Sequence, residues 1–187
     1  TELCNDVNIN ECIRRISNIP IEINDEEKQL PSTVSFLEMY NVGKIEQLNI
    51  YNRWRTNNSQ KSLSVPVGIE KSGTVLKLDL HEKYHGPHGL IAGMTGSGKS
   101  EFIITYILSL AINFSPEDVA FILIDYKGGG LAGAFENRET GVRLPHLAGT
   151  ITNLDVGEMN RSLASIQSEL RRRQHVFNEA RDKLGES

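Results

Sequence analysis

Residues 93–100 have the types and spacing of a phosphate-binding loop, with the pattern G-x-x-x-x-G-K-S. They are Gly93, Met94, Thr95, Gly96, Ser97, Gly98, Lys99 and Ser100. Glycines let the backbone adopt φ above zero and approach phosphate oxygens without a Cβ in the way. Successive amide groups can then point into one concavity that binds an anion. The lysine supplies a positive charge for the β- and γ-phosphates of a nucleotide, and the hydroxyl is placed to ligate Mg²⁺.

The segments on either side have the character that such a loop requires. Residues 89–92 form a short apolar run that predicts a buried strand, and residues 101–114 predict an apolar helix. A strand followed by the loop and then by a helix is the setting in which this pattern binds nucleotides. The helix N-terminus adds its positive dipole end. We therefore expect ATP and Mg²⁺ as ligands, with Ser100 on the metal and Glu101 as a further nucleotide-binding residue.

A carboxylate follows the most apolar strand of the chain. Residues 119–124 predict a buried strand, and Asp125 stands at its C-terminal end. Ligands of parallel α/β sheets bind at that end of the strands. We therefore expect Asp125 to lie near the phosphates, where it would act on the metal indirectly. Residues 145–152 predict a further short strand.

Composition limits the class of protein. The chain has 187 residues, of which 39% are apolar and 24% charged, which suits one domain with a small appendage. The net charge of −4 disfavours a general nucleic-acid binder, which usually carries a basic face. Cys4 and Cys12 make neither a disulfide framework nor a zinc pattern, so we expect a reduced environment. No signal peptide is visible, and the longest apolar stretch, residues 102–114, is too short to span a bilayer.

The chain divides into an arm and a main domain. Residues 1–60 predict a polar, helical arm or linker, and residues 61–187 predict the N-terminal part of the domain that carries the loop. In the arm we expect one short helix capped by Ser32 or Thr33 and a second over residues 45–54.

A β-hairpin connects the arm to the phosphate-binding loop. Apolar residues alternate over residues 63–69 and again over 76–80, with a turn at 70–73 and Asp79 facing outward. Pro66 lacks an amide donor, which places its strand at an edge.

Two features have a functional and a structural interpretation. Trp54 lies between two arginines and would suit stacking on a nucleobase, but a lone tryptophan on a short helix is more often a packing anchor, which we favour. His81, His85 and His88 have spacing compatible with a metal site. No acidic or cysteine ligand joins them in a clear pattern, so we favour a loop without metal that lines the adenine or ribose pocket.

The C-terminal region predicts one long helix. Asp155 and Glu158 form a plausible capping box, and an apolar stripe continues as far as Leu184. Such a stripe would pack along the sheet or against a neighbouring subunit. The arginines at 171–173 would suit contact with DNA or with a neighbour's phosphates, although a solvated face is the interpretation that we favour.

From Leu63 onward the chain resembles the FtsK/SpoIIIE class of hexameric P-loop motors, and within it the EssC/EccC ATPases of type VII protein secretion. Three segments carry the resemblance: residues 85–90, 121–129 and 144–154. DNA-pumping members usually have Asp-Pro-Lys where this chain has Asp125, Tyr126 and Lys127. The arm around residues 31–54 also resembles the segment that precedes the first motor module of EssC.

This resemblance implies an α/β P-loop NTPase of the RecA-like, three-layer type, here with the helical arm and the hairpin. It implies a membrane-anchored ring, a hexamer in the full protein, at the cytoplasmic face of the plasma membrane. The motor would power export of small helical WXG-type proteins together with other membrane components of the secretion system. Nucleic acid is not an expected partner, and this piece itself is expected to be soluble.

The chain departs from the family pattern after Lys99. Motors of this class place an Asp-Glu pair at the end of a later apolar strand, and no such pair follows Lys99 here. We therefore expect a fragment that is incomplete at its C-terminus, with its catalytic residues unknown, that binds ATP and hydrolyses it poorly or not at all. Two alternatives stay open: a double-stranded DNA translocase, and a regulatory module that holds nucleotide without turnover.

Overall fold

The computed structural model describes residues 33–125, 130–137, 139–152 and 156–185. Cys4, Cys12, Asp155 and residues 126–129 lie outside this part. No helix within it is both long enough and apolar enough to cross a membrane. The helices are α1 (Phe36–Met39), a short 3-10 helix (Ile45–Leu48), α2 (Ile50–Thr56), α3 (Lys99–Asn113), α4 (Gly130–Gly133) and α5 (Val156–Leu184). The strands are β1 (Val65–Ile69), β2 (Val75–Leu78), β3 (Phe121–Asp125), β4 (Glu136–Asn137), β5 (Val142–Arg143) and β6 (Leu147–Thr152).

The α/β core consists of a parallel strand pair with α3 packed against it. β3 and β6 run parallel, with Leu123 opposite Thr150 and Asp125 opposite Thr152. A buried cluster joins α3 to this pair: Ile107, Leu123, Phe135 and Leu147. The parallel pairing of β3 and β6, with a helix packed against the pair, is that of an α/β fold of the kind expected from the sequence.

The sequence predicts a buried strand ending at Asp125, but β3 is only partly buried because the described sheet is open on one side. Leu123 is 7% exposed, but Ile122 is 54% and Ile124 is 47% exposed. Because alternate residues of a strand face opposite sides, the face of β3 that carries Leu123 is buried and the opposite face is only partly covered. The described residues form three separate two-stranded sheets, β1–β2, β3–β6 and β4–β5. They therefore represent part of a layered α/β fold.

The prediction of a buried strand before the phosphate-binding loop is wrong for this structure. Residues 89–92 have no regular secondary structure. Leu90 is 94% exposed and Ile91 is 45% exposed. A strand needs a ladder partner, and among the described strands β3 pairs with β6 while β1 pairs with β2. The apolar side chains of Leu90 and Ile91 are therefore exposed, although their sequence predicts burial.

The hairpin forms where the sequence predicts it and packs on the second half of α3. β1 and β2 are antiparallel, with Val65 opposite Leu78 and an irregularity between Pro66 and Gly68. Gly73 adopts a φ of 84° in the turn, a value that glycine tolerates without strain. Val65 is fully buried in a cluster with Leu110 and Phe114. The hairpin thereby fixes the C-terminal half of α3.

Asp79 does not face outward as predicted but is buried at the end of β2. It is 6% exposed. Its carboxylate accepts hydrogen bonds from the Ser62 hydroxyl at 2.6 Å, the Leu63 amide at 2.9 Å and the His81 amide at 2.9 Å. Burial alone would raise the pKa of Asp79, but these hydrogen bonds outweigh it and lower the pKa below 3.8. Asp79 therefore ties the hairpin to the loop that leads toward residue 93.

We expect the Asp79 carboxylate to contribute stability that is lost in acid. A carboxyl whose pKa is lowered on folding stabilises the protein above its unfolded pKa, here near 3.8, and that contribution disappears as the pH falls through the folded value. The free energy of unfolding of the parent should therefore decline more steeply below pH 4 than that of Asp79→Asn. Denaturant titrations of both proteins between pH 7 and pH 3 measure this difference. Parallel curves would contradict the role given to the ionised carboxylate.

The described part of the arm forms short helices, with boundaries different from those predicted. Ser35, and not Ser32 or Thr33, caps α1: its hydroxyl accepts from the Glu38 amide at 3.2 Å, while the Glu38 carboxylate accepts from the Ser35 amide. The helix expected over residues 45–54 is divided at Asn49, which adopts a left-handed φ of 49°. Asparagine is one of the few residues that takes this conformation readily.

The prediction that Trp54 is a packing anchor is confirmed. Its indole Nε1 donates to the Ala111 carbonyl at 2.9 Å. Its ring meets the His146 ring edge-on, with centroids 5.6 Å apart. The indole is thus engaged by the protein and is not placed for stacking on a base.

The long C-terminal helix is present, but much of its apolar stripe is uncovered. Ile166 is half-buried and lines a groove with Ile122 of β3. Leu170 is 61% and Phe177 is 73% exposed. A helix of 29 residues is about 43 Å long, which exceeds what a two-stranded sheet can cover. The groove beside the sheet ends at Arg173, and the apolar residues Val176, Phe177 and Leu184 beyond it are exposed.

Candidate phosphate-binding site

The backbone of the predicted loop turns back on itself at two glycines. Gly96 has a φ of 79° and Gly98 a φ of 85°. Residues with a Cβ adopt this region only with strain, which explains glycine at both positions. The Ser97 amide donates to the Met94 carbonyl at 3.2 Å and closes the turn. Gly98 is then the N-cap of α3, so the loop passes directly into the helix.

Gly93 at the start of the loop lies close to side chains at its end. A Cβ built on Gly93 would lie 2.5 Å from the Ser97 Oγ and 3.5 Å from the Lys99 Cγ. The start of the loop therefore lies against its own end, and the backbone forms a narrow cradle. Its glycine-rich backbone has the character that suits a phosphate group.

The first turn of α3 offers amide donors to this cradle. The first regular hydrogen bond of the helix joins the Phe102 amide to the Gly98 carbonyl at 2.9 Å. The amides of Lys99, Ser100 and Glu101 precede it, so they have no carbonyl four residues earlier within the helix. Together with the helix dipole, these donors produce an anion-binding end.

Lys99 folds back across the loop. Its Nζ donates to the Gly93 carbonyl and to the Met94 carbonyl, both at 2.6 Å. The side chain thereby holds its ammonium group at the mouth of the cradle, where an anion on the loop amides would also contact it. A lysine donates hydrogen bonds in three directions, so these carbonyls leave one direction open.

The structure brings the predicted loop residues together, and all of them are accessible. Seven residues of the loop pattern and Glu101 are exposed, and Lys99 is half-buried. Ser100 stands in the first turn of α3, as the sequence predicts for a metal ligand. Asp125 is at the C-terminal end of β3, where its Oδ2 accepts from the Leu131 amide of α4 at 3.3 Å. Its predicted indirect action on a metal at Ser100 stays a prediction.

Two of the three predicted histidines interact with backbone groups of the protein. The His81 Nε2 lies 2.9 Å from the Gln60 carbonyl, and the His85 Nδ1 accepts from the Asp79 amide at 3.1 Å. Among the described residues, no group of three or more His, Cys, Asp or Glu side chains could hold a metal ion. The two histidines therefore fix the course of the chain as it approaches the loop. Their predicted contact with adenine or ribose stays a prediction.

The opposite end of α3 contains residues that sequence reasoning missed. Asn113 is 5% and His146 is 2% exposed. The His146 Nε2 lies 2.8 Å from the Phe114 carbonyl, which can only accept, so the proton is on Nε2. The sequence signals available for them were a polar residue, Asn113, at the end of an apolar helix and a histidine, His146, directly before a strand.

Comparisons with known proteins agree with this architecture. The profile of the FtsK/SpoIIIE family matches residues 47–186. The chain is 54% identical over 166 residues to the type VII secretion system protein EssC of Staphylococcus aureus (strain NCTC 8325 / PS 47), covering 89% of this chain and 11% of EssC. It is 54% identical over 153 residues to the ESX secretion system protein YukB of Bacillus subtilis (strain 168), covering 80% of this chain and 10% of YukB.

A solved structure shares the fold. The cytoplasmic domain of the type VII secretion ATPase EccC of Thermomonospora curvata superposes with a TM-score of 0.65 at 30% identity, covering 84% of this chain and 20% of that one. The chain thus spans about a tenth of the length of the curated relatives and a fifth of the solved one. The match to more than half of its residues shows that this chain belongs to the FtsK/SpoIIIE family.

Proposed function

We propose that this chain is an ATP-binding module of a type VII secretion motor. The observation that carries the proposal is the loop at residues 93–100, with its positive-φ glycines, its narrow cradle and its lysine at the mouth. The loop amides and Lys99 would hold the β- and γ-phosphates, and Ser100 would ligate Mg²⁺. The metal neutralises charge on the phosphate oxygens when it is bound. Similarity to EssC, YukB and EccC supports the secretion role.

The activity of the complete protein follows from the same similarity and is part of the proposal. The full protein would be a membrane-anchored ring at the cytoplasmic face of the plasma membrane. Each ring would use nucleotide binding in its modules to move small helical proteins outward with other secretion components. Nucleotide occupancy would change the packing between neighbouring modules, because the loop and its helix form one continuous element.

The surface of α5 does not favour the DNA translocase alternative. Glu169 accepts hydrogen bonds from Arg172 at 2.7 Å and from Arg173 at 2.9 Å. These bonds lower the pKa of Glu169 to about 2, so its charge opposes the two arginines at every physiological pH. With a net charge of −4, the chain does not present the strong positive field on which DNA binding depends.

We expect the isolated chain to bind Mg-ATP without sustained turnover. Hydrolysis requires a carboxylate that orients the attacking water together with the metal site, and no Asp-Glu pair follows an apolar strand after Lys99. A phosphate-release assay on the chain measures this directly. Turnover above background that Lys99→Ala abolishes would contradict the expectation.

Export by the complete protein tests the secretion role. In the native host, Lys99→Ala should abolish the appearance of small helical proteins in the medium, because the loop loses its positive charge for the phosphates. Lys77→Ala is the matched control, since Lys77 is an exposed lysine on β2 outside the loop. Immunoblots should show equal amounts of all three proteins. Normal export with Lys99→Ala would remove the support for a nucleotide-driven motor at this site.

A further inference from the structure

The C-terminal end of α3 is capped by the arm. An α-helix leaves its last carbonyls without intrahelical partners. In α3 the Ala111 carbonyl accepts from the Trp54 Nε1 at 2.9 Å, and the Asn113 carbonyl accepts from the Asn57 Nδ2 at 2.8 Å. Two of the carbonyls that the helix cannot satisfy itself are therefore satisfied by residues more than fifty positions earlier in the chain.

The Asn113 side chain connects the same helix end to two further arm residues. Its Oδ1 accepts from the Arg53 Nη1 at 3.1 Å, and its Nδ2 donates to the Tyr40 hydroxyl at 2.8 Å. The Arg53 guanidinium also donates through Nε to the Leu48 carbonyl at 2.7 Å and lies 5.1 Å from the centre of the Tyr40 ring. A positive charge at a helix C-terminus interacts favourably with the dipole. Arg53, Asn113 and Tyr40 thus form one hydrogen-bonded network between the arm and the end of α3.

Aromatic packing extends this contact to the sheet. Trp54 meets His146 edge-on at 5.6 Å, and His146 bonds the Phe114 carbonyl directly after α3. The Phe121 amide at the start of β3 donates to the His146 carbonyl at 2.8 Å. The arm, the end of α3 and the start of β3 are consequently joined by direct contacts.

The other end of α3 carries the phosphate-binding loop. The helix has 15 residues and is therefore about 22 Å long. Gly98 and Lys99 stand at one end and Asn113 at the other, with continuous helical hydrogen bonding between them. The helix therefore provides a continuous hydrogen-bonded connection between the capped end and the loop, of the kind through which two sites can be coupled.

We propose that the arm is a positioning element for the phosphate-binding loop: Arg53, Trp54 and Asn57 act through the end of α3 to hold the loop for nucleotide. The proposal rests on the function proposed above. Coupling between two sites is reciprocal, so nucleotide at the loop must strengthen arm docking by the same factor.

The first test measures nucleotide affinity in arm variants of the whole chain. Asn57 is exposed, so Asn57→Ala removes the cap on the Asn113 carbonyl without opening a cavity. Calorimetry with Mg-ATP should show a Kd raised about fivefold or more, within the usual range of coupling between sites. Asn57→Gln retains the amide donor and should recover part of the affinity. Arg55→Ala, an exposed neighbour, should leave the Kd unchanged.

The second test uses a readout that a structural role alone would not alter. Trp54 is the only tryptophan in the sequence, so its emission reports arm docking. Saturating Mg-ATP should change this emission in the parent, and the change should be absent in Lys99→Ala. Val75→Ala weakens the hairpin elsewhere and should lower the melting temperature without altering the nucleotide-dependent change in emission.

The outcomes separate the two proposals. If the parent binds Mg-ATP, and Arg53→Ala and Asn57→Ala bind it equally well with no nucleotide effect on Trp54, the positioning role is overturned while nucleotide binding stands. If the parent chain binds no Mg-ATP, the proposed function is overturned and the positioning role falls with it. Reduced affinity in both variants, with a nucleotide-dependent Trp54 signal, supports the inference.

Discussion

Trp54→Ala is expected to lower the free energy of unfolding by about 3 kcal/mol, within the range measured for removal of large aromatic side chains. The substitution deletes the edge-on contact with His146 and the hydrogen bond to the Ala111 carbonyl at once. It also leaves that carbonyl without its donor at a helix end. Urea unfolding followed by circular dichroism measures the loss, since the variant has no tryptophan to report fluorescence.

Two matched variants separate the contributions of the Trp54 ring and of its hydrogen bond to this loss of stability. Trp54→Phe retains an aromatic ring beside His146 and loses only the indole donor, so it should cost about 1–2 kcal/mol. Tyr51→Ala removes an aromatic residue of the same helix that is 77% exposed, and it should change stability by less than about 0.5 kcal/mol. Equal stability of Trp54→Ala and Tyr51→Ala would contradict the docking of the arm on α3.

Gly86→Ala is expected to destabilise the loop before the phosphate-binding site by about 3 kcal/mol, at the upper end of the range for overpacking. A Cβ at this position would lie 2.1 Å from the Leu80 carbonyl oxygen and 2.5 Å from its carbon. Both atoms belong to the backbone, so no side-chain rotation relieves the collision. The His85 amide donates to the Asp79 carbonyl at 3.0 Å, and the Asp79 amide donates to the His85 Nδ1 at 3.1 Å. These two bonds hold the loop against Leu80.

Gly89→Ala provides the control for this clash. The nearest atom to a Cβ at Gly89 is the Leu80 Cδ2 at 3.8 Å, an ordinary contact with a flexible side chain. Thermal unfolding of both variants should therefore show a large decrease in melting temperature for Gly86→Ala and little change for Gly89→Ala. Similar melting temperatures for the two would show that the Leu80 contact does not constrain the loop.

The elements that position the loop could be predicted from short-range patterns in the sequence. The 93–100 motif, the helix after it and the strands around residues 121–125 and 147–152 all occupy nearly the predicted positions. Each of these depends on short-range spacing, on glycine stereochemistry or on a continuous apolar run. The hairpin turn ending at Gly73 follows the same logic.

Features that depend on distant partners were not predictable from pattern. The apolar run at 89–92 reads as a strand, but burial of Leu90 depends on neighbouring strands that the described residues do not supply. Asp79 alternates with apolar residues and was expected at the surface, yet its carboxylate is buried because Ser62 and His81 satisfy it. Arg53 and Asn113 meet across 60 positions of sequence, a distance at which periodicity carries no information.

A calorimetric titration of Mg-ATP into the chain tests the central claim, that the loop at residues 93–100 binds nucleotide phosphates. It is performed in parallel on the parent, on Lys99→Ala and on the surface control Lys77→Ala. The account predicts saturable binding to the parent and to Lys77→Ala, with a loss of at least about a hundredfold in Lys99→Ala, because the ammonium at the mouth of the cradle contributes a charge-assisted contact. Absence of binding to the parent, or equal binding by Lys99→Ala, would contradict it.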